Sequence, residues 1–437
     1  MNVGHAIKRS IVAGLASLAV ATVSADVVRN PVNVGISLEE FQLFNPTNLQ
    51  QPTAYGTPLI TVRPTGWIFE SATIDERTTF VMGIGATTFS LPNDSAKYPT
   101  GTEYKSEMFP AVALIQATGS YTFGDLKDPA LKVTFGQMPY KYNPDAKNLG
   151  EYLFRSTPYP NTVLNSPFDL VGSAQASILG IVLNKNFVGN RWKNDLLFTS
   201  AISTAPLYDF SLAYVTSYRI NPVFELGAGV NLYRLIPIQP SLTTWKGDPA
   251  NAYPDSSGYY TLKGQMLMAR FSVDFKPILG NQVDMKLYGE GSLLGVKNYP
   301  KYYTKPMERM PVMLGLNVPT MGWLDVLNVE VEYWKNPYLN STYHMAYDGS
   351  SVPDPDIFAY NEVGLTSTTD AVKDDDFRWS VSATKSVSKA LSITAKAAKD
   401  HMQMMQYMAA SFPGKSYGDV MSGKSSWYYV LRVQVAI

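Results

Sequence analysis

The chain has 437 residues, with 36 basic and 36 acidic side chains and no cysteine. A formal charge of zero leaves no electrostatic footprint for a nucleic-acid partner, and the lack of thiols rules out a disulfide framework. Charged residues make up 16% of the sequence, against about a quarter in ordinary soluble domains, while aromatics reach 12% and include 28 tyrosines.

Residues 1–25 read as a cleavable export signal. Lys8 and Arg9 precede an apolar run of small and aliphatic residues from Ile11 to Val23, and Val23-Ser24-Ala25 offers small side chains at a cleavage site. Beyond it no uninterrupted apolar stretch approaches the ~18 residues of a spanning helix. Two-residue alternation dominates instead. "VNVGISLEEF" and "TPLITVRP" each read as a short strand, and one of them supplies an ascending element. "GWIFESATI" adds a descending one, and fourteen more strands follow from Arg77 onward. "NPTNLQQPTAYG" between the first two reads as a turn, a plug or a periplasmic arm. The expected division is a signal peptide (1–25), an N-terminal segment carrying the first strand and an arm or plug (26–65), and a barrel (66–437).

Later strands show one apolar and one mixed face. "MARFSVDF" sets Ala269, Phe271, Val273 and Phe275 against Arg270, Ser272 and Asp274. "DVLNVEVEYW" sets Leu327, Val329, Val331 and Tyr333 against Asn328, Glu330 and Glu332. The terminal "SSWYYVLRVQVAI" alternates to its last residue, with Arg432 and Gln434 on the mixed side. Many runs reach the ~9–11 residues that cross a bilayer when tilted. Connections alternate short and long, "APLY" being the one short link where a long one is due. A soluble sandwich has no reason to alternate its loops, whereas a membrane barrel has turns on one side and loops on the other. The expected fold class is therefore all-β: a transmembrane antiparallel β-barrel of 16 strands, with 14 as the alternative.

This architecture resembles the Gram-negative outer-membrane porins and porin-like channels, across nearly all of residues 26–437 and without a tight motif. "LKVTFGQMPYKYNPDAKNLGEYLFRSTPYPN" carries the likeness furthest: a strand runs into a long Pro- and Tyr-rich loop, as in porins whose third external loop folds inward. By that resemblance Lys141, Asp145, Lys147, Glu151 and Arg155 are candidates for a constriction. Ile437 departs from the aromatic residue that usually ends the family's chains. The resemblance also implies the cell outer membrane as location, lipid and lipopolysaccharide as surroundings, and small polar solutes as cargo. A homotrimer is open to it, and no cofactor is implied.

A charge facing lipid at mid-membrane costs about 2–4 kcal/mol, but little in a wet lumen. The mixed faces are thus expected to line a pore with Glu225, Arg270, Asp274, Asp284, Lys286, Glu290, Glu330, Glu332, Arg378, Lys396 and Arg432. Acid on one strand and base on the last three predict facing arcs of opposite sign. Trp67, Trp192, Trp245, Trp323, Trp334, Trp379 and Trp427 mostly fall at strand ends, the place for interfacial girdles. Tyr253, Tyr259, Tyr260, Tyr302, Tyr303, Tyr343 and Tyr347 gather in external loops. His344 and His401 lie on different loops without a nucleophile or ligand partner, so neither catalysis nor a metal is expected. Asp354, Asp356, Asp374, Asp375 and Asp376 read as a solvated acidic loop.

The composite expectation is a passive channel for small hydrophilic solutes, selective by width and wall charge. Two rivals remain open from the residues. One is a 14-strand transporter of lipophilic compounds with residues 26–65 as a hatch. The other is a structural or adhesive barrel binding polysaccharide through its loop tyrosines.

Overall fold

The computed structural model describes residues 27–45, 59–92, 106–154, 176–200, 208–240, 244–246, 259–261, 263–280, 283–296, 305–335, 376–400 and 424–437. Strands dominate. They are β1 (Val27–Arg29), β2 (Asn33–Phe44), β3 (Leu59–Ile74), β4 (Thr78–Pro92), β5 (Ser106–Gly124) and β6 (Pro129–Tyr140). Next come β7 (Ala176–Phe187), β8 (Trp192–Ser200), β9 (Phe210–Arg219), β10 (Phe224–Ile236), and a small hairpin of β11 (Thr244–Lys246) and β12 (Tyr259–Thr261). The rest are β13 (Gly264–Asp274), β14 (Lys286–Leu293), β15 (Val312–Asn317), β16 (Val326–Trp334), β17 (Asp376–Ser386), β18 (Leu391–Lys399) and β19 (Trp427–Ala436). Among the described residues helix is confined to single turns, such as α1 (Lys276–Leu279) in the link before β14.

Each strand pairs antiparallel with its neighbours, and the circuit closes where β19 meets β2. The result is a closed 16-strand antiparallel barrel plus one extra strand. At the seam the pairing runs from Trp427 opposite Phe44 to Ala436 opposite Gly35. The Ile437 N–H then donates to the Val34 carbonyl at 2.8 Å, and the Val34 N–H returns a bond to the Ile437 carbonyl at 3.0 Å. Order up to Ile437 follows, because an unpaired edge would leave backbone groups unsatisfied.

The extra strand has a simple cause. β3 is long, and β2 covers it only from Leu59 to Phe69. Pro31 lacks the N–H that would continue the ladder, so the chain breaks around it and β1 pairs with Ala72–Ile74 of the overhang. Residues 33–44 are thus wall, not the hatch that the 14-strand rival requires. "TPLITVRP" and "GWIFESATI" are one strand, and β3 runs through positions 65 and 66 without a break. Residues 1–26 and 46–58 lie outside the described residues.

Alternation sorts the side chains. Ile36, Leu38, Val62, Ile68, Phe135, Ile181, Phe198, Leu267, Leu314, Phe377, Leu431 and Val433 are exposed on the outer surface. Their strand neighbours Ser37, Glu39, Arg63, Thr65, Arg270, Glu330, Arg378 and Tyr428 are buried inside. Exposed apolar residues recur around the circuit, which a water-soluble surface rarely tolerates. Connections alternate too. Tight links follow β3, β5, β7, β9 and β17, while longer ones follow β2, β4, β6, β10, β16 and β18. The "APLY" exception is a link of intermediate length, residues 201–209, between β8 and β9.

Candidate functional site

The chain leaves β6 at Tyr140 and turns into the barrel. Pro144 interrupts extended pairing, and Gly150 and Glu151 both take positive φ, at 84° and 61°. Internal bonds shape the turn: the Lys141 ammonium donates to the Ala146 carbonyl, the Asn143 N–H donates to Glu151 Oε1 at 2.8 Å, and the Leu153 N–H donates to the Tyr142 hydroxyl at 3.1 Å. Tyr142, Asn143, Ala146, Asn148, Leu149, Tyr152 and Leu153 are all buried.

What buries them is the far wall. β6 and β16 lie diametrically opposite each other in the circuit, with equal numbers of strands along either arc. The segment crosses that span and docks on a row of carboxylates. Glu330 of β16 accepts three consecutive backbone N–H groups, from Lys147 (2.6 Å), Asn148 (2.7 Å) and Leu149 (2.8 Å). The Tyr288 hydroxyl adds a fourth bond to Glu330 at 2.7 Å. Glu290 of β14 accepts the Tyr142 hydroxyl (2.6 Å), the Asn143 amide (2.9 Å) and the Tyr152 N–H (3.0 Å). Glu332 accepts the Tyr152 hydroxyl at 2.6 Å, and Asp400 accepts the Asn148 amide at 2.8 Å and the Tyr428 hydroxyl at 2.6 Å. Lys286 pairs with Asp145 at 3.0 Å, and Asn231 of β10 donates to the Leu153 carbonyl at 2.9 Å.

Apolar contacts complete the dock. Tyr142 and Leu153 pack with Met138, Ile178, Val182, Leu197, Val215, Met266 and Met268 from β6 round to β13. Ala146, Leu149 and Tyr152 pack with Tyr288, Leu294, Met313 and Trp334. Gly315 on β15 makes room for the Tyr288 ring, since a Cβ there would sit 2.2 Å from the ring. That close approach lets the Tyr288 hydroxyl reach Glu330.

The sequence-derived candidates divide accordingly. Glu290, Glu330 and Glu332 point inward, but segment 141–154 covers them. Arg270 pairs with Glu225 at 2.8 Å, and Asp274 lies 3.9 Å from Lys286. Asp284 is exposed before β14 begins, where it accepts the Asn317 amide at 3.2 Å. Lys141 is half-buried inside the turn, Lys147 exposes its side chain, and Glu151 is folded back onto its own loop. Arg155 lies outside the described residues. Lys396 donates to Asn148 Oδ1 at 3.3 Å, and Arg432 Nε donates to Glu39 at 2.7 Å.

The expected facing arcs of acid and base do not form. Glu332 and Arg378 are register partners on neighbouring strands, because β16 and β17 are consecutive in the circuit. Two tryptophans expected at the girdles are interior instead. Trp67 packs with Ile115 inside the wall, and Trp334 donates from Nε1 to the Glu308 carbonyl at 2.7 Å. Trp192 and Trp323 are exposed near short turns. Of the loop tyrosines only Tyr259 and Tyr260 are described, in β12. His344, His401, Asp354, Asp356, Asp374 and Asp375 lie outside the described residues, while Asp376 opens β17 and pairs with Arg378 at 2.7 Å.

Several residues at the site escaped the sequence reading. Glu39 is held between Arg63 (2.9 Å) and Arg432 (2.7 Å) at the seam. Its neighbour Glu40 faces outward, so two adjacent acids hide the parity of β2. Asp400 follows β18 and had no periodic signal. Tyr142, Asn148 and Tyr152 act through uncharged donors in a loop, where no pattern marks them.

No protein-family model matches the sequence, and no curated protein is similar to it. Solved structures do align over most of its length. Pseudomonas putida OprB at high pH shares 10% identity, with 94% of each chain covered and a TM-score of 0.49. A double mutant of the Rh. blastica porin shares 9%, covering 94% of this chain and 100% of that one at 0.43. A structure described as "Asymmetric conductivity of engineered proteins" shares 8%, covering 93% and 100% at 0.41. The fold rests on the closed circuit of pairings itself: a 16-strand antiparallel barrel whose segment after β6 folds inward.

Proposed function

We propose that the barrel is an outer-membrane channel through which small hydrophilic solutes diffuse, with segment 141–154 setting its bore. An apolar outer surface around the circuit suits lipid, where each strand's backbone must be satisfied by its neighbours. The observation that carries the reading is the character of the interior toward the short turns. There Lys132, Thr134, Lys286, Ser382, Thr394 and Gln434 share the inward parity, and each is exposed or only half-buried. A barrel filled for stability would close-pack these positions. Here they form a polar vestibule, and the buried segment lies on its path toward the long loops.

Passage then needs no cofactor or energy input, only a width and a wall charge. Recording of the purified protein in a planar lipid bilayer tests this: discrete ion-conducting steps are expected. A folded, inserted barrel that conducts nothing would sink the proposal.

A further inference from the structure

One stretch of the outer surface does not suit lipid. Glu40 on β2 faces outward four residues in from Phe44, whose ring stacks on Trp427 at 4.2 Å beside the long loops. At ~3.3 Å per residue and a tilt of about 35–45°, its carboxylate sits roughly 10 Å below that aromatic stack. Its outward neighbours there are the exposed Leu38 and Leu431. The Tyr429 hydroxyl donates to Glu40 at 3.0 Å. Tyr429 lies opposite Gln42, so its ring reaches away from the long loops to meet Glu40, whereas an interfacial tyrosine turns its hydroxyl to water. Gln42, on the same outward parity, adds a second polar group. The relief of the surface singles out the same region. Ile36 and Leu38 form a ridge, 62% and 54% exposed, beside a hollow of small side chains made by Pro64, Gly66 and Ala86 on β3 and β4. Nothing within the barrel calls for a glycine at 66. Its φ is not left-handed, and a Cβ there would come no closer than 3.9 Å to any neighbour. By contrast Gly119, also outward, is covered by the Phe135 ring, which a Cβ would meet at 2.5 Å.

We propose that this face, from β19 to β4, is where a second copy of the chain docks within the membrane. The inference rests on the membrane placement above and not on conduction. Copies inserted in one membrane share orientation and depth, so a rotation about the membrane normal sets Glu40, Gln42 and Tyr429 of one against the same three in the other. That set is self-complementary, since the carboxylate accepts while the amide and the hydroxyl donate. Hydrocarbon tails offer neither, whereas polar side chains and small residues that permit close approach hold surfaces together in lipid. The ridge of each copy enters the hollow of the other, and Gly66 leaves the space it needs.

The chain has no cysteine, so single introduced cysteines report contacts without background. In vesicles under mild oxidation, Leu38→Cys should give several-fold more covalent dimer than Ala228→Cys, which is exposed on β10, diametrically opposite β2. Light scattering in mild detergent should find more than one chain per wild-type particle. Gly66→Trp, which fills the hollow, and Glu40→Leu, which removes the acceptor, should each shift the protein to single chains, while Ala228→Trp should not. Heat-modifiable mobility on gels verifies that every variant is folded. A single wild-type chain per particle, equal cross-linking at both positions, or an assembly untouched by Gly66→Trp and Glu40→Leu overturns the inference. A particle whose second component is a different protein also overturns it. Each of these results leaves the channel reading intact, because conductance alone decides that.

Discussion

At the scale of the residue, the site is built from carboxylates whose partners are mostly uncharged. Glu330 accepts three successive N–H groups, a geometry that fixes the backbone of 147–149 rather than any side chain. Glu330→Gln keeps the size but offers one acceptor oxygen and places an NH2 against those donors. A hydrogen bond to a charged group contributes about 1.5–3 kcal/mol, and a lost one leaves a buried donor unsatisfied. The amides of 147–149 should then exchange with deuterium at least ~10-fold faster, read by hydrogen exchange and mass spectrometry. Unchanged protection would show that apolar packing alone seats the segment. Here the sequence was only half legible. The charges on alternating strands announced Glu290, Glu330 and Glu332 as inward, but nothing in their spacing told that a loop would take them up.

At the scale of the element, register decides everything, because a slip of one residue exchanges the two faces of a strand. β19 displays this most openly: Leu431 and Val433 face outward while Tyr428 and Val430 are buried inside. Val433→Arg should therefore cost about 2–4 kcal/mol in lipid, whereas Gln434→Arg should cost little. Urea titration of refolding into vesicles measures both, and equal costs would contradict the assignment of faces. This alternation was readable because both periods and polarity agreed along the run. β3 was not, since Pro64-Thr65-Gly66 looks like a turn and divides the strand in two by eye. In the barrel the Pro64 carbonyl still accepts the Thr87 hydroxyl at 2.9 Å, so the strand passes through. Trp67 departs from expectation for a related reason: a tryptophan suggests an interface, yet its ring lies where Gly35 on β2 leaves space.

At the scale of the whole molecule, topology produces the crossing. Sixteen strands make a cylinder wide enough that its interior cannot be closed by side chains alone. The long connection after β6 supplies the missing matter, reaching the opposite wall and dividing the interior into a covered arc and an uncovered one. The strand count and the alternation of links could be read from the sequence, because backbone closure and loop length leave periodic traces. The division of the interior could not, since it depends on contacts between residues separated by 78 to 252 positions.

If residues 141–154 set the bore of a conducting barrel, a variant lacking residues 144–152 must differ from the wild type in single-channel conductance. The wall's own pairings do not involve those residues, so the barrel should still assemble. Discrete steps are expected in the wild type, and steps several-fold larger in the variant. Steps of equal size in both would contradict it.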